Sequence, residues 1–138
     1  MSEQRADLYR PNDSIFSVDT VLKNFQDFPE ILGPVVSLFL DAYPADMQAL
    51  RLAVERGNER DVAFVAHKIR GSVGCFHADR AAAIAAEVEG RGDSGELQGL
   101  LNVIEHLETA MVSVSSVLEQ VQRILSETSS AGGFVEPK

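Results

Sequence analysis

From Leu97 to Leu125 apolar side chains return every three or four residues: Leu97, Leu101, Ile104, Leu107, Met111, Val114, Leu118, Val121 and Leu125. Kept up for about four heptads, that spacing specifies one long amphipathic helix with a continuous apolar seam. Glu108 would break the seam, and taking Leu107 as the seam residue avoids it. Asp93 and Glu96 read as a capping box that starts the helix. About 30 residues of helix span about 45 Å, so the other elements must lie along this one, and its distal end extends past them.

Upstream the same periodicity recurs in shorter runs, and strand-like alternation is absent. Ser17 caps a short helix over 17–27, whose face is Val18, Val21, Leu22 and Phe25. A second helix runs from Pro29 to Arg56, with Pro44 predicted to kink it, and ends at Gly57. Asn58 caps a third helix, whose first turn carries Glu59 and Asp61 to complement its dipole. After a break near His77, the stretch DRAAAIAAEVEG forms a fourth, small-sided helix closed by Gly90 and Gly92. Short loops between long helices favour antiparallel neighbours. The expected fold is all-α, an up-and-down antiparallel four-helix bundle with an additional short N-terminal helix. The bundle should occupy residues 15–127, between a flexible N-terminal segment, 1–14, and a flexible Gly/Ser/Pro-rich tail, 128–138.

At 138 residues the chain has room for one domain with a real core. Its formal net charge of -9 repels a phosphate backbone, which argues against nucleic acid as a partner. The charge is uneven. Residues 51–80 carry six Lys/Arg against four Asp/Glu, whereas the stretches on either side are acidic. The single cysteine, Cys75, allows no internal disulfide, and neither a secretory signal nor a membrane-length apolar run is present. The expectation is a cytoplasmic monomer.

The locally basic third contains the stretch AHKIRGSVGCFHA, residues 66–78. On a helical wheel Val62, Val65, Ala66, Ile69 and Val73 define the buried face, and His67 falls about 140° from Val62, toward solvent. Its neighbours along that face are Ala63, Gly71 and Gly74, none able to cover an imidazole. A glycine inside a helix costs about 1 kcal/mol relative to alanine, so Gly71 and Gly74 imply that something bulky must approach the ring. Arg70 and Lys68 supply positive charge suited to a phosphoryl group, and a neutral imidazole nitrogen is a competent nucleophile. Phe64 lies near the His67 face, either as part of an apolar docking patch or covered by the N-terminal helix.

These residues resemble the signature of histidine-containing phosphotransfer (HPt) domains. There a phosphorylated histidine is followed by an aliphatic residue at +2, lysine at +3, glycine at +4 and small residues beyond, positions held here by His67, Ile69, Arg70, Gly71 and Ser72. The resemblance spans residues 15–125 and departs at three points: Arg70 stands for lysine, His77 for a frequent glycine, and Val73 for a small polar residue. It implies a phosphorelay intermediate. His67 would take a phosphoryl group from an aspartyl phosphate on a response-regulator receiver domain, itself charged by a hybrid sensor kinase, and pass it to another receiver. Arg70 and Lys68 would stabilise the phosphoryl group, Gly71, Gly74 and Ala63 would give access, and Phe64 would dock the partner. The receiver would supply Mg, so the chain itself needs no cofactor and no metal. It contains no recognisable glycine-rich nucleotide loop, so it is expected to be a carrier rather than an enzyme.

Two other readings are distinguishable. A phosphotransfer segment of a chemotaxis-type kinase would be charged by an ATP-binding domain. A helical interaction module would dimerise through the last helix and carry an incidental surface histidine. Cys75 and His77 are two candidate ligands without companion spacing, which does not make a metal site.

Overall fold

The computed structural model describes residues 16–135, with side chains through residue 127. Residues 1–15, which include the expected N-terminal segment 1–14, and residues 136–138 lie outside the described residues. Within them the chain forms five helices and no strand: α1 (Val18–Asn24), α2 (Pro29–Glu55), α3 (Glu59–Gly74), α4 (Asp79–Ser94) and α5 (Leu100–Val135).

Local chemistry fixes the starts of the first three. Ser17 caps α1 in a reciprocal box: its hydroxyl accepts from the Thr20 N–H at 3.3 Å, and the Ser17 N–H donates to Thr20 Oγ1 at 3.0 Å. Pro29 occupies the first turn of α2, where its missing N–H costs nothing, and the helix continues through Pro34 and Pro44. At the head of α3, Asn58 Oδ1 accepts from the Asp61 N–H at 3.1 Å. The turn before it passes through Gly57 at φ 70°, a left-handed conformation that glycine adopts without penalty.

Helices α2 to α5 each pack on two neighbours, in the order α2, α3, α4, α5 and back to α2, and α1 lies on α5. The expected bundle with its additional short helix is therefore present. Paired residues show the directions. Arg51 meets Glu108, Tyr43 meets Ser115 and Ser37 meets Gln122, so α2 and α5 run antiparallel. One row of α5 fills the centre: Leu100, Ile104, Leu107, Met111, Val114, Leu118 and Val121 are all buried. Glu108, the misfit beside that row, takes both Nε and Nη2 of Arg51, at 3.1 and 2.7 Å, and holds the guanidinium above its ordinary pKa.

Three boundary expectations fail, for one reason. Asp93 and Glu96 do not cap the last helix, because α4 continues through Gly90, Gly92 and Asp93 to Ser94. Gly95, at φ 78°, ends α4, and its N–H reaches back to the Gly92 carbonyl. Gly92 is not a terminator but a contact. A Cβ there would sit 2.7 Å from the Ala63 backbone nitrogen, so the close approach of α3 and α4 requires a bare Cα. With α5 starting at Leu100, that residue takes the first seam position, and Leu101 is exposed. At the other end the α5 backbone continues to Val135, into the stretch assigned to the tail. Its 36 residues make about 54 Å of helix against about 24 Å for α3.

The C-terminal end of α3 is pinned by aromatic packing. Phe76, 1% exposed, lies between Phe25 and Phe39, with ring centroids 5.9 and 5.8 Å away. Burying a phenylalanine stabilises by about 1.5–3 kcal/mol, enough to hold the turn that follows. His77 in that turn adopts φ 61°, the left-handed conformation that glycine would take more easily.

Candidate functional site

Helix α3 presents two faces. Val62, Ala66, Ile69 and Val73 are buried, none more than 1% exposed, and the opposite face points outward. The His67 side chain is 66% exposed there. Its Nδ1 lies 2.9 Å from Oε2 of Glu89 on α4. The other oxygen of the same carboxylate, Oε1, forms an ion pair with Arg70, 3.0 Å from its Nε. Arg70 Nη2 also stands 3.2 Å from His67 Nδ1.

The shorter of the two contacts to Nδ1, from the Glu89 carboxylate, favours one tautomer. A carboxylate only accepts and a guanidinium only donates, so Nδ1 can bond to Glu89 only if it carries the hydrogen. With the hydrogen on Nδ1, Arg70 Nη2 is a neighbour of that nitrogen rather than a donor to it, brought there by the Arg70–Glu89 ion pair. The remaining ring nitrogen, Nε2, keeps its lone pair for an incoming electrophile. Electron demand at Nε2 spreads through the ring to Nδ1–H and is met by the Glu89 carboxylate, while Arg70 holds positive charge beside the ring.

The space around the ring is open. A Cβ built on Gly71 or on Gly74 would meet nothing within 4 Å. Neither glycine is required by the packing of this chain, in contrast to Gly92, and both lie on the exposed face of α3. Phe64 is 69% exposed, so α1 does not cover it.

Two expected participants are placed elsewhere. Lys68 does not join the His67 cluster: its ammonium pairs with Asp46 Oδ1 of α2 at 3.1 Å. The wheel carries the reason, since consecutive helix residues diverge by about 100°; Lys68 leans toward α2 while Arg70 leans toward α4. Ala63 is half-buried, its backbone against Gly92, so it shapes the α3–α4 contact rather than an approach to the ring. Glu89 had no signal in the sequence around His67, because it lies 22 residues away on another helix. Among the described residues no group of three His, Cys, Asp or Glu could hold a metal ion, and Cys75 is a free, exposed thiol.

A family model for the Hpt domain matches residues 34–128, from the first part of α2 into the distal part of α5. The chain belongs to the Hpt domain family. No curated protein and no solved structure matches it. The matched span contains the cluster of His67, Arg70, Gly71 and Glu89, and leaves α1 and the first turn of α2 outside. No helix among the described residues is long and apolar enough to cross a membrane.

Proposed function

We propose that this Hpt domain is a phosphoryl carrier of a two-component phosphorelay, with His67 as its acceptor. The Nε2 lone pair of His67 attacks the phosphorus of an aspartyl phosphate on a receiver domain. The P–N bond forms as the P–O bond to the aspartyl group breaks, and the electron pair returns to the receiver's carboxylate. The Nδ1 proton stays on the ring throughout, and Glu89 stabilises the cationic phosphoimidazole. Transfer to a second receiver is the reverse sequence with a different carboxylate.

The observation that carries this reading is an imidazole two-thirds exposed, held through one nitrogen by Glu89, on a helix face left bare at Gly71 and Gly74. Phosphoryl transfer is mainly positioning and charge neutralisation. The carrier contributes the oriented nucleophile and the Arg70 cation, and the receiver contributes its acidic pocket and Mg. In this reading the chain works in the cytoplasm, has no kinase activity of its own, and exchanges phosphoryl groups with response-regulator receivers and a hybrid sensor kinase. Phe64, on the His67 face, docks the receiver, and Lys68 anchors α3 to α2 instead of contacting the phosphoryl group.

The test is incubation with phosphorylated receivers, with and without ATP as the only donor, and mapping of the label. An acid-labile, alkali-stable label on His67, absent from His67→Gln and absent with ATP alone, is expected. Undiminished transfer to His67→Gln would end the proposal.

A further inference from the structure

Helix α2 carries two apolar rows. One faces the core through Leu32, Val36, Phe39 and Leu50. The second is rotated about 100° round the helix, and apart from Val35, which packs against the core, its large side chains stay exposed among the described residues. Its N-terminal half is bulky: Phe28 is 61% exposed, Ile31 44% and Leu38 70%, with Val35 half-buried between them. Its C-terminal half is small, Ala42, Ala45 and Ala49, before Leu52 closes the row. The steps are 3, 4, 3, 4, 3, 4 and 3 residues, the spacing by which one helix packs along another. Beside the row a cavity of about 320 Å³ opens between α2 and α3, walled by Val35, Leu38, Ala42 and Ile69.

We propose that this row pairs with its own copy in a second chain, antiparallel, about a two-fold axis level with Leu40. That axis sets Phe28 opposite Leu52, Ile31 opposite Ala49, Val35 opposite Ala45 and Leu38 opposite Ala42. From Ile31 to Ala49 every large residue meets an alanine, so the row fits its own reverse and buries its large side chains without voids. The register of α3 agrees. The Lys68–Asp46 pair puts Gly74 level with about residue 40 of α2, so α3 flanks only the small half of the row. The two-fold brings the second copy's α3 along the large half. The outer flank carries Glu30, Asp41 and Glu55, with one cation, Arg51, already paired to Glu108, and Asp41 approaches its own counterpart near the axis. That repulsion makes the pair salt-dependent, stronger as salt screens the like charges. It is also the feature that separates a second copy from a partner helix with basic flanks, whose binding salt would weaken.

Sedimentation velocity of the full chain over a concentration series tests the pairing, independently of phosphotransfer. A reversible dimer is expected, tightened by salt and by Asp41→Asn, and weakened at least about a hundred-fold by Leu38→Glu; circular dichroism of that exposed-site variant checks folding. In a Cys75→Ser background, a mixture of Ile31→Cys and Ala49→Cys chains should form a disulfide-linked dimer on mild oxidation, and neither alone should. A monomer at every concentration and salt overturns the proposal, as does a dimer indifferent to Leu38→Glu. So does dimerisation that appears only after removal of residues 1–15, which would make that segment the occupant, or a Leu38→Glu chain that differs only in receiver binding.

Discussion

Replacing Gly71 should move stability and transfer in opposite directions. The glycine lies inside α3, four residues after His67, and a Cβ there touches nothing within 4 Å. Gly71→Ala therefore meets no clash and removes the helix-interior penalty of glycine, about 0.5–1 kcal/mol. For a domain of this size that raises the melting temperature by about 2–4 °C, readable by calorimetry or thermal circular dichroism. Gly71→Leu should be close to neutral in stability, since its side chain extends into solvent. Transfer from a phosphorylated receiver should respond the other way. A displacement of about 1 Å from in-line geometry can cost about a hundredfold in rate. The methyl of alanine should slow single-turnover transfer about tenfold, and the isobutyl group of leucine by a hundredfold or more. Equal rates for the three proteins would refute the argument that the bare backbone serves an approaching partner. A fall in stability with Gly71→Ala would show instead that the glycine answers an internal demand.

Glu89→Ala should slow phosphorylation of His67 by about 10–100-fold, as loss of an orienting partner does elsewhere, whereas Glu89→Gln, which can still accept from Nδ1, should fall between it and the parent in rapid-quench measurements. Arg70→Ala should slow transfer strongly and Lys68→Ala by no more than about threefold, because the Lys68 ammonium is engaged by Asp46 on α2; equal losses would show that both cations reach the phosphoryl group. Two backbone substitutions should differ in sign in chemical denaturation: His77→Gly stabilises by about 1 kcal/mol by relieving a positive φ, and Gly92→Ala destabilises by about 1–3 kcal/mol by forcing a Cβ onto the Ala63 backbone.

The reach of the sequence is visible in particular residues. The α5 seam, the Ser17 and Asn58 caps and the outward direction of His67 follow from periodicity and capping chemistry, which are local. The end of α4 did not follow. Gly90, Gly92 and Gly95 are equally good terminators by composition, and only the proximity of Ala63 shows that Gly92 must stay inside the helix. Placing the end too early made Asp93 and Glu96 look like a cap and put Leu97 and Leu101 in the seam, where Leu100 takes the first position. Glu89 was out of reach for a related reason: its partnership with His67 depends on how α3 and α4 are set against each other. Lys68 was within reach, because the angle between adjacent helix positions already separates it from His67.

The clasp formed by Glu89 has a further consequence for a molecule whose task is to give away what it receives. Both carboxylate oxygens are committed, one to the ring and one to Arg70. A phosphoryl group arriving on Nε2 finds no cage of donors, only a guanidinium already shared with an acid and open water beyond. In the proposed carrier role, weak retention would let the same histidine pass its phosphoryl group onward, with the depth of the receiving pocket deciding which way the cargo moves.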